Sequence, residues 1–258
     1  MRNQVEPRSK RCRRAKKAAG RPTIGIRELK ARASAIIEDV KDRRTSYAVT
    51  KRGEVEALEL APADVPAAYL ADARWLHVTG CNLAITESAR DACYTALRSV
   101  PAGATVSFDP NIRPGALTMQ EIRELCRPAI VRADVILPSL SEAAMLTGAA
   151  TDEAGCRMWA AQGKTVVLKM GAQGCRVFAR GSDFVAPSFP VEEVDPTGAG
   201  DSFCAGLTVA MLDGMALPDA ARFANAVGAL AVTKKGPMEG APWRTDVDNL
   251  LAAYPRQT

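Results

Sequence analysis

The spacing of apolar residues along this chain switches several times between a period of two and one of about 3.6, and each switch marks an element. Residues 24–40 place Ile26, Leu29, Ala33, Ile36, Ile37 and Val40 on one helical stripe. Residues 46–60 alternate on both sides of Gly53, as a hairpin does. The stretch 61–68, with Pro62 and Pro66, reads as a joint. Beyond it, short apolar runs near 73–79, 104–109, 133–137 and 164–170 predict strands. Stretches near 86–99, 118–130, 151–162, 201–213 and 218–234 predict helices. This alternation predicts an α/β fold with a mainly parallel sheet and right-handed crossovers. Residues 165–178 predict a strand, a Gly-x-x-Gly turn and a second strand.

Composition narrows the class. The 258 residues, 47% of them hydrophobic, suit a globular protein of one large or two smaller domains. The longest uncharged stretch, Trp75 to Thr86, has 12 residues, too few for a membrane span. No basic start leads into an apolar segment, so neither a secretory signal nor a membrane partner is expected. Seven cysteines without a Cys-x-x-Cys pair fit a reducing, cytoplasmic setting and argue against structural zinc. The single histidine, His77, reads as strand-embedded and leaves no His-based triad or metal site. Net charge is +5, yet residues 1–22 hold nine basic groups against Glu6, and the other 236 residues carry 25 basic and 28 acidic ones. The positive charge belongs to this arm, whose scarcity of large apolar residues predicts disorder.

Candidate chemistry gathers at strand ends and at one helix start. Asp195-Pro-Thr-Gly-Ala-Gly-Asp201 opens into the apolar run Ser202 to Leu212. Small residues bring backbone N–H groups together where the helix dipole favours an anion. Asp201 stands there as a carboxylate able to take a proton from a hydroxyl attacking a phosphate. A glycine-rich turn capping a core helix explains the same residues without chemistry. The strand near 104–109 ends in Asp109, Asn111 and Arg113, and ligands of open α/β sheets lie beyond such ends. A guanidinium suits a carboxylate through two parallel hydrogen bonds, although Arg113 also reads as a solvated loop residue before Pro114. Glu142 is equally a first-turn carboxylate favoured by the dipole alone. The glycines of the Lys169–Gly174 turn are explained without a ligand by a need for positive φ.

Residues 195–203 resemble the second signature of the ribokinase-like (PfkB) carbohydrate kinases, Asp-Thr-x-Gly-Ala-Gly-Asp-x-Phe. The Pro196-Thr197 variant is similar to the sugar-acid kinase branch. The resemblance implies Asp201 as catalytic base, with Gly198, Ala199 and Gly200 as the anion hole. Asp109-Pro-Asn-Ile-Arg113 is similar to the Asp-x-Asn-x-Arg element of 2-keto-3-deoxygluconate kinases. That implies Asp109, Asn111, Arg113 and Asp201 around the acceptor. Where the family shows Asn-x-x-Glu, this chain has Ser139 and Glu142, and Glu142 is implied to reach a metal through water. Lys169, Gly171, Gln173 and Gly174, with Gly198 and Gly200, are implied around the nucleotide phosphates, and Asn225 beside the adenine. ATP and Mg2+ are the implied cofactors, with room for a monovalent cation.

Nothing in residues 1–70 resembles the N-terminal half, Gly-Gly sugar-binding element or β-sheet lid of such kinases. Residues 23–60 resemble the DNA-binding, dimerising portion of Phd/YefM-type antitoxins, through Ile24-Gly-Ile-Arg-Glu-Leu29, the helix after it and the Val49–Gly53 turn. That implies DNA as a partner of residues 1–60, and a homodimer. A small α+β packing module explains the same residues, and eight basic against seven acidic groups make no strong electrostatic footprint. The expected organisation is a tail over 1–22, an antitoxin-like module over 23–60, a linker over 61–70 and a kinase part over 71–258. The expected function is ATP-dependent phosphorylation of a sugar or sugar-acid hydroxyl, impaired because a missing lid leaves water in the site. The alternatives are a DNA-binding antitoxin-like regulator with an inactive or nucleotide-sensing kinase remnant, and a non-functional fusion.

Overall fold

The computed structural model describes residues 23–25, 48–51, 54–57, 61–113, 115, 117–236 and 238–255. The basic tail over 1–22 and the helical stripe from Ile26 to Val40 lie outside these residues. The chain divides into two compact units, Met1–Leu60 and Ala61–Thr258. In the first, β1 (Thr23–Gly25) pairs parallel with β2 (Ala48–Lys51), which pairs antiparallel with β3 (Glu54–Ala57). The β2–β3 pair is the hairpin expected around Gly53.

The second unit opens with a 3-10 turn at Pro62–Asp64 and a short helix α1 (Ala67–Leu70), so the stretch expected as a linker is folded and buries Leu70. There follow β4 (Trp75–Thr79), α2 (Gly80–Ile85), α3 (Glu87–Ser99), β5 (Thr105–Asp109), α4 (Met119–Arg132) and β6 (Val135–Ile136). Next come α5 (Glu142–Thr147), α6 (Asp152–Ala161), β7 (Thr165–Lys169), β8 (Cys175–Ala179) and β9 (Ser182–Ala186). The helices α7 (Ala199–Leu212), α8 (Leu217–Ala231) and α9 (Arg244–Ala253) complete the unit. The six strands form one sheet in the order β4-β5-β6-β7-β8-β9. β4 to β7 run parallel, and β7-β8-β9 continue as an antiparallel meander.

The central strands β5, β6 and β7 are buried on both faces because helices cover both. Val106, Phe108, Ile136, Val166 and Leu168 meet one core with Leu83, Leu97, Ile122 and Trp159. Their alternating neighbours Val135, Leu137, Val167 and Val177 meet a second core with Phe203, Leu207, Phe223 and Val247. Threonine side chains cap the helices that return each strand: Thr86 accepts from the Ala89 amide, Thr151 from Ala154, and Thr118 forms a capping box with Glu121. The parallel register sets Thr79 beside Asp109, and Ser139 bridges to Lys169, so the carboxyl ends of β4, β5 and β7 face one region. Among the described residues no helix is long and apolar enough to cross a membrane.

Candidate active site

Asp109 and Lys169 are the last residues of β5 and β7, and the sheet register brings them together. Lys169 Nζ donates to Asp109 Oδ2 at 2.5 Å, with side-chain exposures of 10% and 2%. The Cys204 thiol, on the first turns of α7, lies 3.4 Å from the same carboxylate oxygen and 3.7 Å from Lys169 Nζ. Burial alone would lower the Lys169 amine, but the groups facing it reverse that and the net direction is upward. Burial also pushes the Cys204 thiol up, which keeps it neutral and leaves Asp109 as the charge that matters to Lys169. Truncating either member of so buried a pair would strand a charge, a loss of about 3–5 kcal/mol.

The second cluster surrounds the loop after β5. Asp109 Oδ1 accepts from the Asn111 amide at 3.2 Å, and Asn111 itself sits at φ 38°. Glu142 is buried, and its two oxygens accept from the amides of Ile112 and Ser139, each at 2.7 Å. Burial raises the Glu142 carboxyl above its ordinary range, and the two backbone bonds pull back against that shift. Arg113 is exposed beside this loop.

The third group is the start of α7. Gly198, at φ 82°, is its N-cap and no side chain caps the first turn. Asp195 fixes the approach, since its carboxylate accepts from the amides of Thr197 at 3.0 Å and Gly236 at 2.9 Å. The Thr197 hydroxyl first, and then these two amides, hold Asp195 below the usual carboxylate range. Asp201 is exposed in the first turn, and a Cβ on Gly200 would lie 3.7 Å from Lys169 Nζ.

A cavity of about 500 Å³ opens between these parts and the β7–β8 turn, within the usual range for small-molecule sites. Lys169, Gly171, Gly174, Ala199, Gly200 and Asn225 line it, with Phe189, Phe203 and Val232 on its apolar side. Gln173 and Asp201, both exposed, lie outside this lining, as do Gly198 and the residues at the end of β5 and in the loop after it. Asn225 is buried and its Nδ2 is spent on the carbonyls of Ala186 at 2.8 Å and Pro187 at 3.2 Å, where it anchors the end of β9. The lining suits a nucleotide in kind, with glycines, Lys169 and the α7 N-terminus fit for phosphates and apolar side chains fit for a base. A divalent ion has weaker support from side chains. Among the described residues no group of three His, Cys, Asp or Glu is placed to hold one, so it would rest mainly on phosphate oxygens and water, as Mg2+ commonly does.

Two residues of this arrangement were not among the sequence candidates. Cys204 lies three positions after Asp201, so helical spacing carries the signal once the motif is placed on a helix. Gly80 is visible only in three dimensions, because a Cβ there would come within 2.0 Å of the Pro110 carbonyl.

Comparison with known proteins gives the family. The family profile described as pfkB family carbohydrate kinase matches residues 28–244. A 2-dehydro-3-deoxygluconokinase of Bacillus subtilis is 34% identical over 205 residues, 76% of this chain and 62% of that protein. A fructokinase of Klebsiella pneumoniae is 36% identical over 206 residues, 75% of this chain and 66% of its own length. The chain thus matches less than two thirds of the length of either relative. Among solved structures, an Escherichia coli protein described as a ribokinase II, in complex with ATP and Mg2+, superposes with a TM-score of 0.72 at 28% identity, covering 91% of this chain and 82% of the other. Vibrio cholerae fructokinase bound to fructose, ADP and calcium gives 0.67 at 27% identity, covering 90% and 84%. With a profile spanning most of its length and relatives above one-third identity over some 200 residues, the chain belongs to the pfkB family of carbohydrate kinases.

Proposed function

We propose that the protein transfers the terminal phosphoryl group of ATP to a hydroxyl of a sugar acid, in the manner of a 2-keto-3-deoxygluconate kinase. The observation that carries this reading is the meeting of the α7 N-terminus with Lys169 at the glycine-lined end of the cavity, with Asp201 one residue beyond Gly200. Asp201 takes the proton of the acceptor hydroxyl, and its exposure leaves it open to a substrate. Gly198, Ala199 and Gly200 direct backbone N–H groups at the charge that develops on the transferred group. Lys169, Gly171 and Gly174 hold the phosphate end of the cavity, whose apolar walls take the base. Asn111 and Arg113 face the acceptor, where a guanidinium holds a sugar-acid carboxylate in two parallel bonds. Bound ATP supplies the phosphoryl group, and Mg2+, held mainly by phosphate oxygens and water, would offset its charge. The Bacillus subtilis relative and the Arg113 position support the sugar-acid choice, and fructokinases of similar identity make fructose the alternative acceptor.

The direct test is ADP release in a coupled assay with 2-keto-3-deoxygluconate as acceptor, for the wild-type chain and Asp201→Asn. Loss of a general base predicts a fall of about 100- to 10,000-fold in turnover. Equal rates in the two proteins would remove the enzymatic reading.

A second reading concerns residues 1–60, which form their own compact unit with a three-stranded sheet behind nine basic residues. In it, an antitoxin-like module binds operator DNA as a homodimer and the second unit senses nucleotide. A mobility shift on the protein's own promoter region, lost on deleting residues 1–60, tests it.

A further inference from the structure

The loop after β5 is held at three points that do not depend on one another. Asp109 Oδ1 takes the Asn111 amide, and Glu142 Oε1 takes the Ile112 amide. On its other side the Pro110 carbonyl lies so close to Gly80 that no side chain fits between them. Between these points Asn111 is held at φ 38°, a left-handed conformation that few residues adopt. Such a conformation persists only where the surroundings impose it. Glu142 reaches the loop from the crossover after β6. Its second oxygen takes the Ser139 amide, which ties the loops after β5 and β6 to one carboxylate. The base of that carboxylate is fixed in turn. Ser141, just before it, sits at φ 76°, and Asp152 accepts from the amides of Ser141 at 2.6 Å and Ala144 at 3.0 Å.

We infer that Glu142 is a positioning residue for acceptor recognition, acting through the Ile112 amide to set Asn111 and Arg113, rather than chiefly a partner of the metal. The inference rests on the kinase reading for what Asn111 and Arg113 face, but the clamp itself is a property of the free protein. Both carboxylate oxygens already serve backbone amides at 2.7 Å, so a metal-associated water would share an oxygen that is already engaged.

The experiment uses the full-length chain in wild-type, Glu142→Leu and Glu142→Gln forms. Leucine fills a similar volume with no acceptor, and glutamine has one acceptor for two amides. Amide hydrogen exchange is read at Ile112 and Ser139 in the absence of ligands. In Glu142→Leu both amides exchange at least about tenfold faster, the loss expected when a buried donor goes unpaired. In Glu142→Gln at least one of them does, and this variant carries the test if the leucine form does not fold. Steady-state kinetics then separate the two roles. A clamp raises the KM for 2-keto-3-deoxygluconate by about tenfold or more, since an ångström of misplacement is costly, and leaves the Mg2+ half-saturation and the ATP–Mg2+ Kd within about twofold. Unchanged exchange at both amides overturns the inference, as does a raised Mg2+ half-saturation with an unaltered acceptor KM. Faster exchange in a protein whose wild type transfers no phosphate sinks the kinase reading and leaves the clamp standing.

Discussion

Around His77 a single proton decides a chain of three side chains. Trp75 Nε1 lies 2.7 Å from Ser107 Oγ, and His77 Nδ1 lies 2.7 Å from the same fully buried hydroxyl. The indole can only donate, so the hydroxyl accepts from Trp75 and gives its own hydrogen to a neutral imidazole. Although the residue is exposed overall, this inward edge is buried, and burial lowers the imidazole below its ordinary range, with Asp109 opposing. The unfolded chain therefore takes up the proton first. The stabilising contribution is present above the unfolded value of 6.5 and is lost as pH falls through the lower folded value. Thermal unfolding followed between about pH 5 and 7.5 should show stability declining toward acid, and His77→Gln should flatten that part of the profile. A wild-type curve of the same shape as the variant's would refute this. At this scale the sequence made Asp109, Lys169 and Asp201 legible as candidates, because strand ends and a glycine-rich helix start are local patterns. That Asp109 and Lys169 are each other's partners was not legible. Sixty positions separate them, and only the register of a parallel sheet closes that distance.

Elements were readable in proportion to their length and amphipathicity. The helices α3, α4, α6, α7 and α8 lie where the apolar spacing puts them, as do strands β4 to β8. The short helices α2 and α5 carry less than two turns each and show no period to read, and α9 and the edge strand β9 were also unassigned. α4 runs through Pro128, as the helix expected near 118–130 does, although proline removes a backbone donor there. Its capping box and its buried Ile122, Cys126 and Ala129 hold it together. The β7–β8 turn shows how an element shapes the cavity. Gly174 sits at φ 91°, and a Cβ there would come within 2.2 Å of the Ala186 carbonyl. Gly174→Ala is expected to destabilise the protein by about 1–3 kcal/mol and to weaken nucleotide binding, since this turn lines the cavity. Chemical denaturation and calorimetric titration with ATP–Mg2+ measure the two effects. Wild-type stability and affinity in that variant would mean that the turn adapts at no cost.

On the scale of the whole molecule, charge and function are distributed unequally. The arm over 1–22 holds the excess of positive charge, and the remaining residues are slightly acidic. If residues 1–60 hold DNA, retention by the full chain should fall steeply with salt, at about 0.9 decades per decade of salt for each phosphate neutralised, and residues 61–258 should show no retention. Retention that is indifferent to salt would exclude this mode. The local pattern of apolar residues, together with the glycine-rich motif before Asp201, was enough to determine an α/β fold with a mainly parallel sheet and the family to which the chain belongs. Period and motif depend on neighbours in the chain, and these are printed in the sequence. Tertiary structure alone decided which strand ends share a cleft, that Glu142 holds the loop after β5 by its backbone, and that Asn225 braces β9. Those facts depend on strand order, register and the closeness of unlike loops, which the packing of two cores around one sheet sets and no short stretch of residues encodes.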